Sequence, residues 1–301
     1  MALVLLSFFL HLQIKADRVD SLQRLLNTSV QDTSRVWILL ELGKESIAND
    51  PDRSLRYAEE AKGLSERLNY SRGLAASLKG IGRAYYTKGD YVQTLDYWNR
   101  ALTYFEQLGD KNGVANTLSN MGAAYFNQGD DAKALDFYLR SLRLAEELKD
   151  TVRIITLRSN IGAVYQNKDI TKSKALEFFK AALPLAEALN DEVILGTVYV
   201  NLGEMYLLNN SLDTALIYFT KSFKTYEGTP DVSYSLMNLG KVYRRKGDYT
   251  NGVKYGEKAY EEAVKLDSKS DIAITLVALG ETYAASGDVA NAIKRFHAAE
   301  K

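Results

Sequence analysis

Apolar residues along this chain recur at steps of three and four, stop at short polar links, and then begin again in the same order. One stretch runs Leu95, Trp98, Ala101, Leu102, Phe105, Leu108, and another runs Leu135, Tyr138, Leu142, Ala145, Leu148. Such steps place one apolar stripe on a helix, so each stretch predicts an amphipathic helix. At about 17 residues and 1.5 Å per residue it would be ~25 Å long. A second mark alternates with these stripes. Leu42-Gly43, Ile81-Gly82, Met121-Gly122, Ile161-Gly162, Leu202-Gly203, Leu239-Gly240 and Leu279-Gly280 follow one another at intervals of 39, 40, 40, 41, 37 and 40 residues. Each of the last six glycines is followed at the third residue by a tyrosine: Tyr85, Tyr125, Tyr165, Tyr206, Tyr243 and Tyr283.

Between the two marks stand Gly89-Asp90, Gly129-Asp130, Gly247-Asp248 and Gly287-Asp288, with Lys168-Asp169 and Asn209-Asn210 as variants. Glycine takes the left-handed conformation that ends one helix, and Asp or Asn caps the next. The unit is therefore a helical hairpin. Seven are predicted, near residues 36–70, 71–110, 111–150, 151–190, 191–228, 229–268 and 269–301, the last incomplete. A bare backbone at the recurring glycine predicts close approach of the second helix, whose packing offsets a loss of about 1 kcal/mol in helix propensity. Ala134, Ala175, Ala215 and Ala292 are the small residues expected to face it. A lone hairpin cannot bury its stripe, so stability is expected to sum over units and neighbouring interfaces. Residues 17–35, with Val19, Leu22, Leu25 and Leu26, are expected to cover the first unit. Ile293, Phe296 and Ala299 are left without a covering helix, which predicts that the natural chain continues past Lys301.

The pattern resembles the tetratricopeptide repeat, over about residues 36 to 301. Gly122, Tyr125, Ala134, Tyr138 and Ser141 reappear as Gly203, Tyr206, Ala215, Phe219 and Ser222 at identical spacing. Two features depart from the family's usual pattern. The unit is near 40 residues rather than 34, like the longer repeats of kinesin light chain and of bacterial peptide-receptor and sensor arrays. The proline that usually closes a unit is replaced by links such as Gly109-Asp110-Lys111-Asn112 and Lys149-Asp150. The resemblance implies an all-α, right-handed α-solenoid whose first helices line a concave side, and a protein or peptide ligand in that groove.

Asn120, Asn160, Asn201 and Asn238 each stand two residues before a repeat glycine. An amide offers donors and an acceptor to an extended backbone, and in the longer-repeat relatives a ladder of such asparagines binds the target's main chain. The other reading is that they bond to the adjacent first helix and hold the array in register. On the same face Arg83 and Tyr86, then Lys241, Arg244 and Arg245, form a basic floor that Glu204 and Glu281 interrupt. It would grip an acidic peptide or a terminal carboxylate, or it is a solvated face.

The N-terminal run changes the picture. Met1 to Leu12 is the one strongly apolar segment, too short to span a bilayer, and Ile14-Lys15-Ala16 offers a small residue before Asp17. That is the form of a secretory signal peptide over residues 1–16, although no Lys or Arg precedes the run. It predicts an exported, periplasmic or extracellular protein with no membrane segment in its mature part.

Composition then removes whole classes of function. Lys plus Arg and Asp plus Glu are both 38, so no bulk charge attracts nucleic acid. Three prolines suit long helices, and cysteine is absent. Of two histidines, His11 lies in the apolar run and His297 near the end, so neither a two-histidine metal site nor a Ser-His-Asp arrangement is expected. No Gly-rich phosphate loop is present. The expectation is a non-enzymatic binding scaffold without cofactor. It would be the exported sensor or interaction region of a larger bacterial signalling protein, of histidine kinase or nucleotide cyclase type. The alternatives are a free-standing exported scaffold, or an intracellular peptide receptor if the first residues are retained.

Overall fold

Each polar link of the sequence ends one helix and starts another. The computed structural model describes residues 18–166 and 169–300; the expected signal segment with His11 lies outside the described residues. Among the described residues there are fifteen α-helices, a single 3-10 turn at Asp169–Thr171 and no strand. The first compact unit, Met1–Arg153, holds α1 (18–28), α2 (Thr33–Ser46), α3 (Pro51–Arg67), α4 (Ser71–Thr87), α5 (Tyr91–Gln107), α6 (Lys111–Asn127) and α7 (Asp131–Leu148). The second, Ile154–Lys301, holds most of α8 (Thr151–Gln166) and then α9 (Lys172–Leu189), α10 (Glu192–Leu208), α11 (Leu212–Thr225), α12 (Val232–Arg245), α13 (Tyr249–Lys265), α14 (Lys269–Ala285) and α15 (Val289–Ala299). This is an all-α helical-repeat fold of seven hairpins.

Aspartates set the starts. Asp50, Asp90, Asp110, Asp130, Asp191, Asp248 and Asp288 each accept a hydrogen bond from the backbone N–H three residues on, at 2.8–3.1 Å. One such cap is worth about 0.5–2 kcal/mol. The ends close in the left-handed conformation, as at Gly89 with φ +77°, where the Gly89 and Asp90 N–H groups return to the carbonyls of Tyr86 and Tyr85. Pro51 starts α3 and Pro230 lies in the α11–α12 link, but Pro184 is inside α9.

The recurring glycine is a socket for a ring. A Cβ built on Gly82, Gly122, Gly162, Gly203 or Gly280 would lie 2.4–2.7 Å from the aromatic carbons of Trp98, Tyr138, Phe179, Phe219 and Phe296 respectively. The sequence reading expected helix backbone at that point. Backbone approaches closely instead in two hairpins: a Cβ built on Gly43 would lie 3.3 Å from the carbonyl oxygen of Ser54, and one built on Gly240 would lie 3.1 Å from the Gly252 carbonyl oxygen and 3.3 Å from the Gly256 nitrogen. Those hairpins lack the ring, and Gly256 stands where the others carry an aromatic. The expected small residues Ala134, Ala175, Ala215 and Ala292 are all buried.

In five hairpins the repeated tyrosine stacks on a ring of the second helix. Tyr85–Tyr97, Tyr125–Phe137, Tyr165–Phe178, Tyr206–Tyr218 and Tyr243–Tyr255 pair at 5.3–5.9 Å between ring centres and within 23° of parallel. Such pairs contribute about 0.5–1.5 kcal/mol beyond the area they bury. In the last hairpin the Tyr283 hydroxyl donates to Glu257 instead. At the N-terminal end, Val19, Leu22 and Leu26 of α1 pack on the core formed by Val36, Leu39 and Leu42, while Leu25 is exposed.

Glycine that is not a socket behaves differently. On Gly63, inside α3, an added Cβ meets nothing nearer than Arg67 Nη1 at 3.8 Å. Gly63→Ala should therefore raise stability by about 0.5–1 kcal/mol, read from urea titration of the purified protein.

Candidate functional site

The first helices of the hairpins carry the residues marked from the sequence. In the first unit, Asn120 sits half-buried on α6 with its amide 3.4 Å from Asn116 Oδ1. Arg83, half-buried on α4, has an enclosed Nε with no partner among the described residues. Burial holds its pKa below the usual arginine range, against the opposing field of Glu41. One turn earlier stands Lys79, whose ammonium burial also pushes down, with Arg83 adding to the effect. Its Nζ lies 5.7 Å from the Phe105 ring centre. Tyr86 is a joint rather than a free contact. Its ring meets Tyr91 and Trp98, and its hydroxyl accepts from Asn127 Nδ2 at 2.8 Å, tying α4 to α6.

In the second unit three asparagines share one register on α8, α10 and α12. Asn160 and Asn201 are half-buried, and their side-chain amides have no hydrogen-bond partner among the described residues. Asn238 departs from the expectation of an open ladder. It is 2% exposed, and its Nδ2 donates to the Tyr234 carbonyl one turn back at 3.1 Å, so its amide is used within α12.

The expected basic floor is largely consumed by joints between hairpins. Arg244 pairs with Glu281 on α14, and Lys246 pairs with Asp213 on α11. Arg245 donates to the Leu207 carbonyl at 2.6 Å and to Asn210 Oδ1 at 3.0 Å, covering the C-terminal end of α10. Long side chains on one hairpin reach the next, and their charge is answered there. Lys241 remains half-buried within the fields of Glu204 and Glu281, its pKa lowered by burial against their pull. Lys88–Asp52 makes a similar joint in the first unit, and Lys111–Glu147 ties the two helices of one hairpin. Solvent screens such exposed pairs, so each contributes little to stability.

A pocket of about 250 Å³ opens beside Asn201. Thr197, Val200, Asn201 and Glu204 of α10 form one wall; Tyr226, Asp231 and Tyr234 form the other. The Tyr234 hydroxyl donates to Glu204 Oε1 at 2.6 Å, and the Tyr226 hydroxyl lies 2.9 Å from Thr197 Oγ1. Burial, then the nearby Glu204 charge, raises the Tyr234 pKa well above the usual tyrosine range. Apart from Asn201 and Glu204, sequence reading missed the residues of this pocket, though its signal was present. The Gly203–Gly240 interval is 37 residues, and α12 correspondingly has 14 residues where α10 has 17.

Among the described residues no three His, Asp or Glu side chains gather as a metal site, and no helix is long and apolar enough to cross a membrane. His297 is exposed, with Nδ1 3.4 Å from Glu300.

A family model described as "Tetratricopeptide repeat" matches residues 73–147, 113–173 and 231–300. A search of the curated proteins finds no match. Solved structures are similar in fold. The apo form of RapI is 17% identical with a TM-score of 0.67, covering 87% of this chain and 95% of that one. The apo quorum sensor NprR from B. thuringiensis is 15% identical with a TM-score of 0.64, covering 98% and 96%. A Rap protein complexed with Competence and Sporulation Factor is also 15% identical with a TM-score of 0.64, covering 96% and 87%. The repeat model spans more than half of the 301 residues in segments from both compact units, where glycine sockets and stacked tyrosines build the hairpins: this chain belongs to the tetratricopeptide repeat family.

Proposed function

We propose that this protein is a non-catalytic scaffold that binds an extended polypeptide along its first helices. The observation that carries this reading is the pair Asn160 and Asn201. They occupy the same register on the first helices of consecutive hairpins, and neither amide has a hydrogen-bond partner among the described residues. A peptide backbone offers donors and acceptors, and a primary amide can answer both. The fold's likeness to a quorum sensor and to a Rap protein complexed with Competence and Sporulation Factor supports a peptide ligand. The test is selection from a random heptapeptide display library, followed by isothermal titration of the recovered sequences. Saturable 1:1 binding of at least one sequence is expected; no enrichment over an empty-bead control would contradict the proposal.

The finer reading is that the scaffold is the exported sensor or interaction region of a larger bacterial signalling protein. Its support is the apolar run at residues 1–12. A peptide receptor that keeps its first residues is the second reading, favoured by the likeness to NprR. Mass spectrometry of the protein from its native host separates them. Export predicts a mature amino terminus at Asp17, whereas an intact Met1–Ala16 segment supports the receptor.

A further inference from the structure

The pocket beside Asn201 exists because one helical turn is missing. In the first unit, rings from just before a first helix pack over its opening turn: Tyr70 and Phe105 cover Gly73 and Gly113 within 2.3–2.8 Å of a built Cβ. The α12 helix has no such turn. Tyr226 instead folds back over Gly196 of α10, 2.3 Å from a built Cβ, and its hydroxyl also donates to the Val193 carbonyl at 3.3 Å. The space left open is the pocket.

Its polar groups are of one kind. Asp231 stands at the N-cap position of α12, yet its side chain makes no cap bond, unlike Asp90, Asp110 and Asp130. Glu204 receives one bond, from Tyr234, on a single oxygen. Asn201 adds an unpaired amide, and Tyr226 and Tyr234 supply aromatic walls. Lys241 is the cation beside Glu204, and it is shared with Glu281. Two carboxylates with one shared cation leave the pocket net negative. Its volume is below the ~300–1,000 Å³ of sites that enclose a whole small ligand, so it suits a single side chain. A guanidinium presents five donors in a plane, which match the carboxylate and amide oxygens of Glu204 and Asn201 on one wall and the carboxylate of Asp231 on the other. Its face also stacks on tyrosine.

We infer that this pocket takes the guanidinium of an arginine side chain in the bound polypeptide, anchoring the peptide beside Asn201. The inference rests on the polypeptide-binding reading and adds the residue type that the site selects.

Two measurements test it independently. Protein-observed NMR with N-acetyl-arginine amide should shift the Asn201 side-chain amide and the Tyr234 backbone signal, while the neutral isostere N-acetyl-citrulline amide should not. Glu204→Gln and Asp231→Asn should each weaken arginine-amide binding at least tenfold with unchanged circular dichroism. Equal shifts from citrulline amide, no shift at these residues, or full binding by both variants would overturn the assignment. The display selection separates this outcome from failure of the wider reading. Captured peptides with no arginine preference sink the pocket's role and leave polypeptide binding standing. Shifts with arginine amide when no peptide is captured support the pocket and sink the scaffold proposal.

Discussion

Phe219→Ala is expected to destabilise the second unit by about 3–5 kcal/mol, the usual cost of deleting a fully buried aromatic ring. Phe219 is fully buried, and its ring fills the socket of Gly203. Gly203→Leu should destabilise too, by about 1–3 kcal/mol, since a Cβ there already lies 2.7 Å from the ring and the leucine must displace it. The informative variant is the double. With the ring gone, the leucine side chain has a hole to enter, so Gly203→Leu with Phe219→Ala should cost less than the two singles added, by about 0.5–3 kcal/mol. Urea titration followed by helical circular dichroism reads all three. Strict additivity would mean that glycine and ring do not share one space. Repeat arrays can unfold in parts, so the midpoints should be compared with hydrogen exchange in α10 and α11.

Asn160→Ala with Asn201→Ala is expected to reduce peptide affinity at least tenfold while leaving the melting curve nearly unchanged. The reasoning is one of partners. Neither amide is bonded to the protein among the described residues, so truncating it removes nothing from the fold. A ligand backbone, by contrast, loses bonds whose absence strands its own polar groups at about 1–3 kcal/mol for each one left buried and unmade. Asn238→Ala makes the control. Its amide is buried and bonded within α12, so that variant should alter stability more than binding. A large loss of helicity in the double variant would make the two open asparagines structural instead.

These expectations also show which features the sequence makes legible. Period, hairpin, aspartate caps and the number of units follow from local rules, because a three-and-four stripe and a Gly-Asp link have the same physical meaning wherever they occur. The role of the glycine was half visible. Its position announces close packing, but whether backbone or ring arrives depends on the residue 16 or 17 places on, which is Trp98, Tyr138, Phe179, Phe219 or Phe296 in five hairpins and Gly256 in another. The basic run at Lys241–Lys246 is a related case. Sequence places Glu281 on the same face but does not show that it, Asp213 and Asn210 meet these charges from neighbouring hairpins. Asn238 was marked by register alone; the shortened α12 that encloses it was written only in a 37-residue interval.

The most direct test of the account is hydrogen–deuterium exchange on the full chain with and without a peptide recovered from the display selection. Added protection centred on α8 and α10 around Asn160 and Asn201, with α9 and α11 little changed, is the predicted result. Protection confined to the second helices, or spread evenly over the chain, would contradict the placement of the ligand on the first helices.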